Sequence, residues 1–269
     1  MAIFFDTHAH IDYPEYEPDL PAVIERARLA GIEKIISIGT SLAGSERAIR
    51  LAEKFPAVYA AIGWHPNEAL EAPADLRPPL RELARHPKVV AIGETGLDYF
   101  RPPSANGGTA ADDAASKLRQ AEIFQQQLEV AEEFHLNCVI HQRAAFDDTL
   151  AQLKPFAGRV RGVFHCFGES PDRLRQVLEI GCLVSFTGIV TFKNAQNVRE
   201  AVAAVPAGQF MLETDCPYLA PAPYRGKRCE PAYVKEISEL VAQIRQCSAE
   251  ALSAETCRTA LEFFPKLRG

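Results

Sequence analysis

Eight short apolar runs, each followed by a longer amphipathic one, recur along the whole chain and constrain its fold more than any other feature. The runs cover residues 3–10, 34–39, 58–63, 89–93, 137–141, 162–164, 183–186 and 210–212. They are rich in Val, Ile and Phe, the composition of buried strands. Between them the spacing predicts helices over 20–30, 44–55, 76–86, 116–134, 146–153, 171–180 and 197–205, and two more over 231–244 and 249–263. In the first, Leu20, Val23, Ile24 and Ala27 share a face, Asp19 and Pro21 open the helix and Gly31 closes it. Strictly alternating strands and helices imply parallel strands joined by crossover helices. Eight such units without a break imply a TIM-type (β/α)8 barrel, one domain over residues 1–269, and 269 residues with 47% hydrophobic content suit a fold of about 250 residues. No shift in composition marks a linker. The one low-complexity stretch, 101–116 (RPPSANGGTAADDAAS), reads as a tolerated, partly mobile loop rather than a lid.

Polar residues gather at the predicted strand ends. His8 and His10 close the first strand, and residues two apart in a strand face the same way. His65 follows the third strand, Glu94 the fourth, His141 the fifth, His165 the sixth and Asp215 the eighth. In a βα barrel all these ends open on one face, where such folds place their chemistry. Five of the seven histidines thus meet two carboxylates in one mouth, while His86 and His135 read as surface helix residues. Converging imidazoles and carboxylates suit divalent metal ions. Glu213, two residues before Asp215, should lie deeper on the same side as a buried supporting carboxylate.

Charge narrows the partners. With 29 Lys+Arg against 35 Asp+Glu the net charge is -6, so no global basic field holds a long nucleic acid. A phosphate-bearing substrate would have to be caught locally, and Arg143, Lys193, Arg225, Lys227 and Arg228 follow strands five, seven and eight. Tyr99, Phe100 and Trp64 are candidates for stacking on a base. The seven cysteines are odd in number, scattered and free of any Cys-x-x-Cys, which argues against a disulfide framework or a structural zinc site. No apolar run approaches the roughly 20 residues of a membrane span. The expectation is an unexported cytoplasmic protein with no membrane partner, a monomer by default.

The same residues carry a resemblance. The chain resembles the TatD family of metal-dependent hydrolases, magnesium-dependent deoxyribonucleases related to the amidohydrolases. It does so through FDTHAHID at the start, GWHP at 63–66, IGETGLDY at 92–99, HQRAAFDDT at 141–149, FHCFGES at 164–170, ETDCPYLAP at 213–221 and RGKRCEP at 225–231. The resemblance implies that His8, His10, Glu94, His141, His165 and Asp215 are metal ligands, with Glu94 bridging two divalent ions, Mg, Mn or Zn. Two departures stand out: Cys229 occupies a place where the family more often has Asn, and the 101–116 segment is longer than usual. Two ions in such a site lower the pKa of water and stabilise both the attacking and the leaving oxygen of a phosphodiester. Asp215 is then the natural proton acceptor and Glu94 the second catalytic carboxylate, with His65, Arg143 and Arg225 binding substrate. The expected activity is a deoxyribonuclease, exonucleolytic on single-stranded or frayed DNA ends. The alternative is amidohydrolase-type hydrolysis of a small amide or ester. Such sites often bridge their metals with a carboxylated lysine, yet here no lysine ends an identifiable strand.

Overall fold

The computed structural model describes residues 2–268. Its strands are β1 (Phe4–Ala9), β2 (Ile32–Ile38), β3 (Val58–Ile62), β4 (Val89–Asp98), β5 (Asn137–Arg143), β6 (Gly162–Phe164), β7 (Leu183–Phe186) and β8 (Phe210–Leu212). They pair in parallel in the order β1 to β8. The ring is drawn shut where the Asp215 amide donates to the His8 carbonyl at 2.9 Å and the His10 amide to the Cys216 carbonyl at 2.8 Å. The expected (β/α)8 barrel is therefore the observed fold.

The helices are α1 (Leu20–Leu29), α2 (Leu42–Lys54), α3 (Arg77–Ala84), α4 (Ala110–Glu133), α5 (Phe146–Leu153), α6 (Pro171–Glu179), α7 (Gln196–Ala204), α8 (Val234–Arg245) and α9 (Ala249–Phe263). Several start where a side chain satisfies an orphan amide: Ser41 accepts from Gly44, Ser170 from Arg173 and Ser248 from Ala251. Their apolar faces and the outer faces of the strands form the larger core, which includes Phe124, Leu128, Val177 and Ile237. A second cluster gathers alternate strand residues such as Ile36, Ile38, Tyr59, Ala61, Leu183 and Met211 with Phe263, Phe264 and Leu267 from the end of the chain. The last helix and the turn after it thus seal one end of the barrel and leave the other open.

Three expectations shift. Helix α4 begins at Ala110, not near residue 116, because Thr109 and Asp112 form a reciprocal capping box ahead of an Ala- and Asp-rich first turn. What remains of the low-complexity segment is tied down: Ser104 donates through its amide (2.8 Å) and hydroxyl (2.7 Å) to Asp113. Strand β4 runs on through Asp98, because residues 95–98 pair with residues 140–143 of β5; the glycines that looked like a strand terminus lie inside it. His86 and His135 fall in the turns that end α3 and α4, away from the open end.

Candidate metal centre

At the open end a cleft of about 730 Å³ is lined by residues from the strand ends and the loops after them. Five histidines and two carboxylates meet at its floor. His8 Nε2 and His10 Nε2 lie 3.2 Å apart. Glu94 Oε2 and Asp215 Oδ1 each stand 3.4–3.6 Å from both. A tetrahedral ion with bonds of about 2.0–2.1 Å separates its donors by roughly 3.3–3.4 Å, so these four atoms match the edges of one coordination shell. The other oxygen, Glu94 Oε1, lies 2.8 Å from both His141 Nδ1 and His165 Nε2, and those nitrogens are 3.3 Å apart. Glu94, 2% exposed, therefore presents one oxygen to each of two donor groups.

The hydrogen bonds behind the site orient the rings as metal ligands are oriented. His10 Nδ1 faces the Ile38 carbonyl at 3.3 Å, which turns the lone pair of Nε2 inward. His141 Nε2 faces Asp98 Oδ2 at 3.0 Å, which leaves Nδ1 for the cluster. The rings of His8 and His165 stack with centroids 4.0 Å apart, and their buried Nδ1 atoms have no hydrogen-bond partner. Glu213 lies 3.6 Å from His165 Nδ1 and is fixed by the Cys166 amide and the Ser185 hydroxyl, each donating at 2.6 Å. It is the deeper carboxylate that its spacing predicts. His65 differs from the others. Its Nδ1 accepts from the Asn67 amide at 3.0 Å, so the neutral ring carries its proton on Nε2, 3.4 Å from Glu94 Oε1. In that tautomer it aims a donor at the cluster, while its Nε2 also lies close enough to Glu94 and His141 to share an ion with them.

The electrostatics follow from many groups sharing a small buried space. Burial lowers the pKa of His8, and the neighbouring His165 adds to the effect. Burial works against ionisation of Glu94, yet His165, His65 and His8 hold its carboxyl well below the usual range. Against the same burial, Asp98 and Glu94 raise His141, while Glu94 and Glu213 raise His165 well above an ordinary imidazole. Without a cation the carboxylates favour protonation of His10, His141 and His165; a divalent ion would supply that charge instead. The donor set fits such a group.

The remaining predicted residues divide. Arg143 lines the cleft, whereas Arg225 is exposed outside it, donating to the Ala220 carbonyl at 3.2 Å and stacking on Phe192 at 3.7 Å. Arg225 is held by its own loop, a geometry that its sequence position does not reveal. Arg228 is held by Asp19 at 2.8 Å and Glu230 at 2.9 Å, so its motif secures α1 instead of binding substrate. Lys193 and Lys227 are exposed and do not line the cleft. Trp64 is buried and donates to the Glu68 carbonyl at 2.7 Å, and Tyr99 sits under Lys117, which leaves Phe100 as the exposed aromatic of the three. Cys229 is buried, and its carbonyl accepts from the Tyr16 hydroxyl at 2.5 Å, a contact made by backbone that does not need an amide side chain. Sequence reasoning missed Asp98, Arg101, Tyr13 and Tyr218. Asp98 stands inside a quoted motif, four residues after Glu94, and the longer β4 would have revealed it.

A (β/α)8 barrel whose open end gathers these donors is a metal-dependent hydrolase scaffold. The comparisons make the class specific. The family model described as "TatD related DNase" matches residues 5–265. The chain is 39% identical over 263 residues to the uncharacterized metal-dependent hydrolase YabD of Bacillus subtilis, covering 97% of this chain and 99% of the relative. It is 33% identical over 258 residues to the 3'-5' ssDNA/RNA exonuclease TatD of Klebsiella pneumoniae, 94% of each chain. The crystal structure of YJJV, a TatD homolog from Escherichia coli, superposes with a TM-score of 0.88 at 27% identity over 97% of this chain and 98% of that one. The chain belongs to the TatD family of metal-dependent hydrolases.

Proposed function

We propose that the protein is a two-metal nuclease that removes nucleotides from single-stranded or frayed ends of DNA, and of RNA by the same chemistry. The observation that carries this reading is Glu94, whose two oxygens face two separate donor groups on the floor of an open cleft. His8, His10 and Asp215 would hold one ion, and His141 and His165 the other, with Glu94 shared. Bound there, two divalent ions supply charge on both the attacking and the leaving oxygen of a phosphodiester. The chain's own residues do the rest. Asp215, beside the donor group of His8 and His10, takes the proton of the attacking water. His65, protonated on Nε2, donates to a phosphate oxygen, and Arg143 holds the substrate from the rim. The Klebsiella relative's name, an exonuclease on single strands, agrees with a cleft too local in its charge to hold a long duplex. No helix among the described residues is long and apolar enough to cross a membrane, and we assign the protein to the cytoplasm as a monomer.

The test is hydrolysis of 5'- and 3'-labelled single-stranded DNA and RNA by protein stripped with EDTA and reloaded with Mg, Mn or Zn, beside Glu94→Ala. The expected result is metal-dependent shortening, with a ladder from one of the two labels that fixes the polarity, and loss of activity by about three orders of magnitude or more in the variant. Intact oligonucleotides with every metal, in protein that binds two equivalents, would overturn the nuclease reading and favour a small-molecule amide or ester.

A further inference from the structure

Among the described residues, the arginines near the cleft are nearly all engaged. Arg47 pairs with Asp12, Arg173 with Glu169 and Arg228 with Asp19 and Glu230. Arg101 and Arg143 are the exceptions: both are exposed, both line the cleft, and neither meets an acidic partner among the described residues. Arg101 follows β4 and Arg143 ends β5, on the side of the cleft where His141 stands.

The Arg143 side of this rim is tied to the strands although it is exposed. The guanidinium of Arg143 lies 3.7 Å from the ring centre of Phe100. Stacked this way, an arginine gives one face to the ring and keeps its N–H edge free for a phosphate. The Tyr99 amide donates to the Arg143 carbonyl at 2.9 Å, and the Phe100 amide to Asp98 Oδ1 at 2.9 Å. Gln120 clamps the Asp98 backbone from behind, accepting from its amide at 2.9 Å and donating to its carbonyl at 3.0 Å. Asp98 Oδ2 meanwhile accepts from His141. One carboxylate therefore fixes both the rim and a ring of the candidate metal centre, so the two stand at a set offset. On other loops of the same cleft Tyr218 is 53% exposed, at 6.4 Å in an edge-on contact with Tyr13. Its open face suits a stacked base.

We propose that Arg101 and Arg143, the latter plated on Phe100, form a second phosphate subsite that holds the backbone of a single-stranded polynucleotide next to the bond to be cut. The proposal rests on the nuclease reading and deepens it: the enzyme recognises a chain with at least one phosphate beyond the scissile one. In a protein of net charge -6 this rim is local positive charge placed where the strand must pass.

The test is fluorescence-anisotropy binding of a nuclease-resistant phosphorothioate single-stranded decamer to the metal-loaded protein, from 0.05 to 0.2 M salt. Each lost phosphate contact lowers the slope of log affinity against log salt by about 0.7. The double variant R101A/R143A should therefore lose about 1.4 in slope and bind roughly tenfold more weakly. R143K, which keeps the charge without the planar stack, should keep the slope and lose part of the affinity. Steady-state kinetics give a second readout: the fall in KM as the substrate grows from two to four nucleotides should be lost in R101A. Wild-type slope and KM in the double variant would overturn the subsite while leaving the nuclease intact. Binding with the expected slopes but no cleavage of the unmodified strand would overturn the nuclease and keep the rim. Absence of binding by the wild type would overturn both.

Discussion

The sharpest consequence of the geometry concerns Asp98, which offers no atom to either donor group and acts through the far side of the His141 ring. Its Oδ2 accepts from His141 Nε2 at 3.0 Å while Oδ1 accepts from the Phe100 amide at 2.9 Å. That fixes the tautomer: the ring proton sits on Nε2, and the Nδ1 lone pair points at the donor group around Glu94 Oε1. In Asp98→Asn the side chain keeps its shape and its bond from Phe100, but an N–H now faces Nε2. To avoid two donors pointing at each other, the ring must move its proton to Nδ1, which silences the nitrogen a metal needs. Asp98→Ala removes the acceptor without imposing the wrong tautomer. Losing the partner of a metal-bound histidine costs about 10–100-fold in affinity, or roughly 1.4–2.8 kcal/mol. We therefore expect about tenfold weaker binding of one metal equivalent in D98A and about a hundredfold or more in D98N. The isosteric change should be the worse one. Calorimetric titration of the stripped proteins with Zn or Mn measures both. Equal affinities in D98N and wild type, or a larger loss in D98A than in D98N, would refute the tautomer argument.

Three further outcomes follow. Neighbouring carboxylates raise His10, His141 and His165 despite their burial, so the metal-free protein keeps protons that a metal must displace; affinity should rise as pH climbs above the ordinary imidazole range, and titrations in buffers of different ionisation enthalpy should show proton release that shrinks as pH rises. His65→Gln should retain both metal equivalents by elemental analysis while kcat falls about a hundredfold, because the ring donates from Nε2; loss of a metal would make it a ligand instead. Burial pushes Asp6 up to about 8 from 3.8, against hydrogen bonds from Thr214 and His8. The folded state therefore holds a proton that the unfolded chain releases, and this contribution, complete below about pH 4, is lost as pH climbs to about 8. In EDTA the urea midpoint of the wild type should fall relative to Asp6→Asn over that window, and parallel curves would remove Asp6 as the cause.

How much of this was legible in the sequence depends on what kind of force sets each feature. Strands β6, β7 and β8 begin and end where the apolar runs do, because burial on both faces tolerates a polar residue only where it is hydrogen-bonded, as Ser185 is to Glu213. The mouth was legible because polar residues end those runs, and parallel strands bring their ends together. What stayed hidden depends on pairing between distant segments. The extension of β4 is a property of its register with β5, and Asp98 becomes visible only through it. Arg143 and Arg225 look alike as cations after a strand; one lies along the cleft and the other over Phe192, a difference made by loop conformation. The start of α4 was readable in retrospect, since Thr109 and Asp112 have the spacing of a capping box, but the Gly and Pro residues just before drew attention to a loop.

The shared role of Glu94 is prepared by residues with no side chain at all. A Cβ on Gly63 would stand 2.7 Å from the Gly93 backbone, and one on Gly93 would stand 2.7 Å from Val139. A Cβ on Gly96, whose φ of +137° already disfavours other residues, would collide with the carbonyl oxygen of His141. Strands β3, β4 and β5 thus approach one another at three glycine contacts that flank Glu94 and reach His141. With the backbones this close, the carboxylate of Glu94 lies within 2.8 Å of rings from β5 and the β6 end through one oxygen, and within 3.6 Å of rings from β1 and the residue after it through the other. A side chain at any of these glycines would push β4 outward and separate the two donor groups from the carboxylate they share. The glycines of the IGETG stretch are therefore part of the metal centre's geometry, acting through the spacing of the strands rather than through any contact with a ligand.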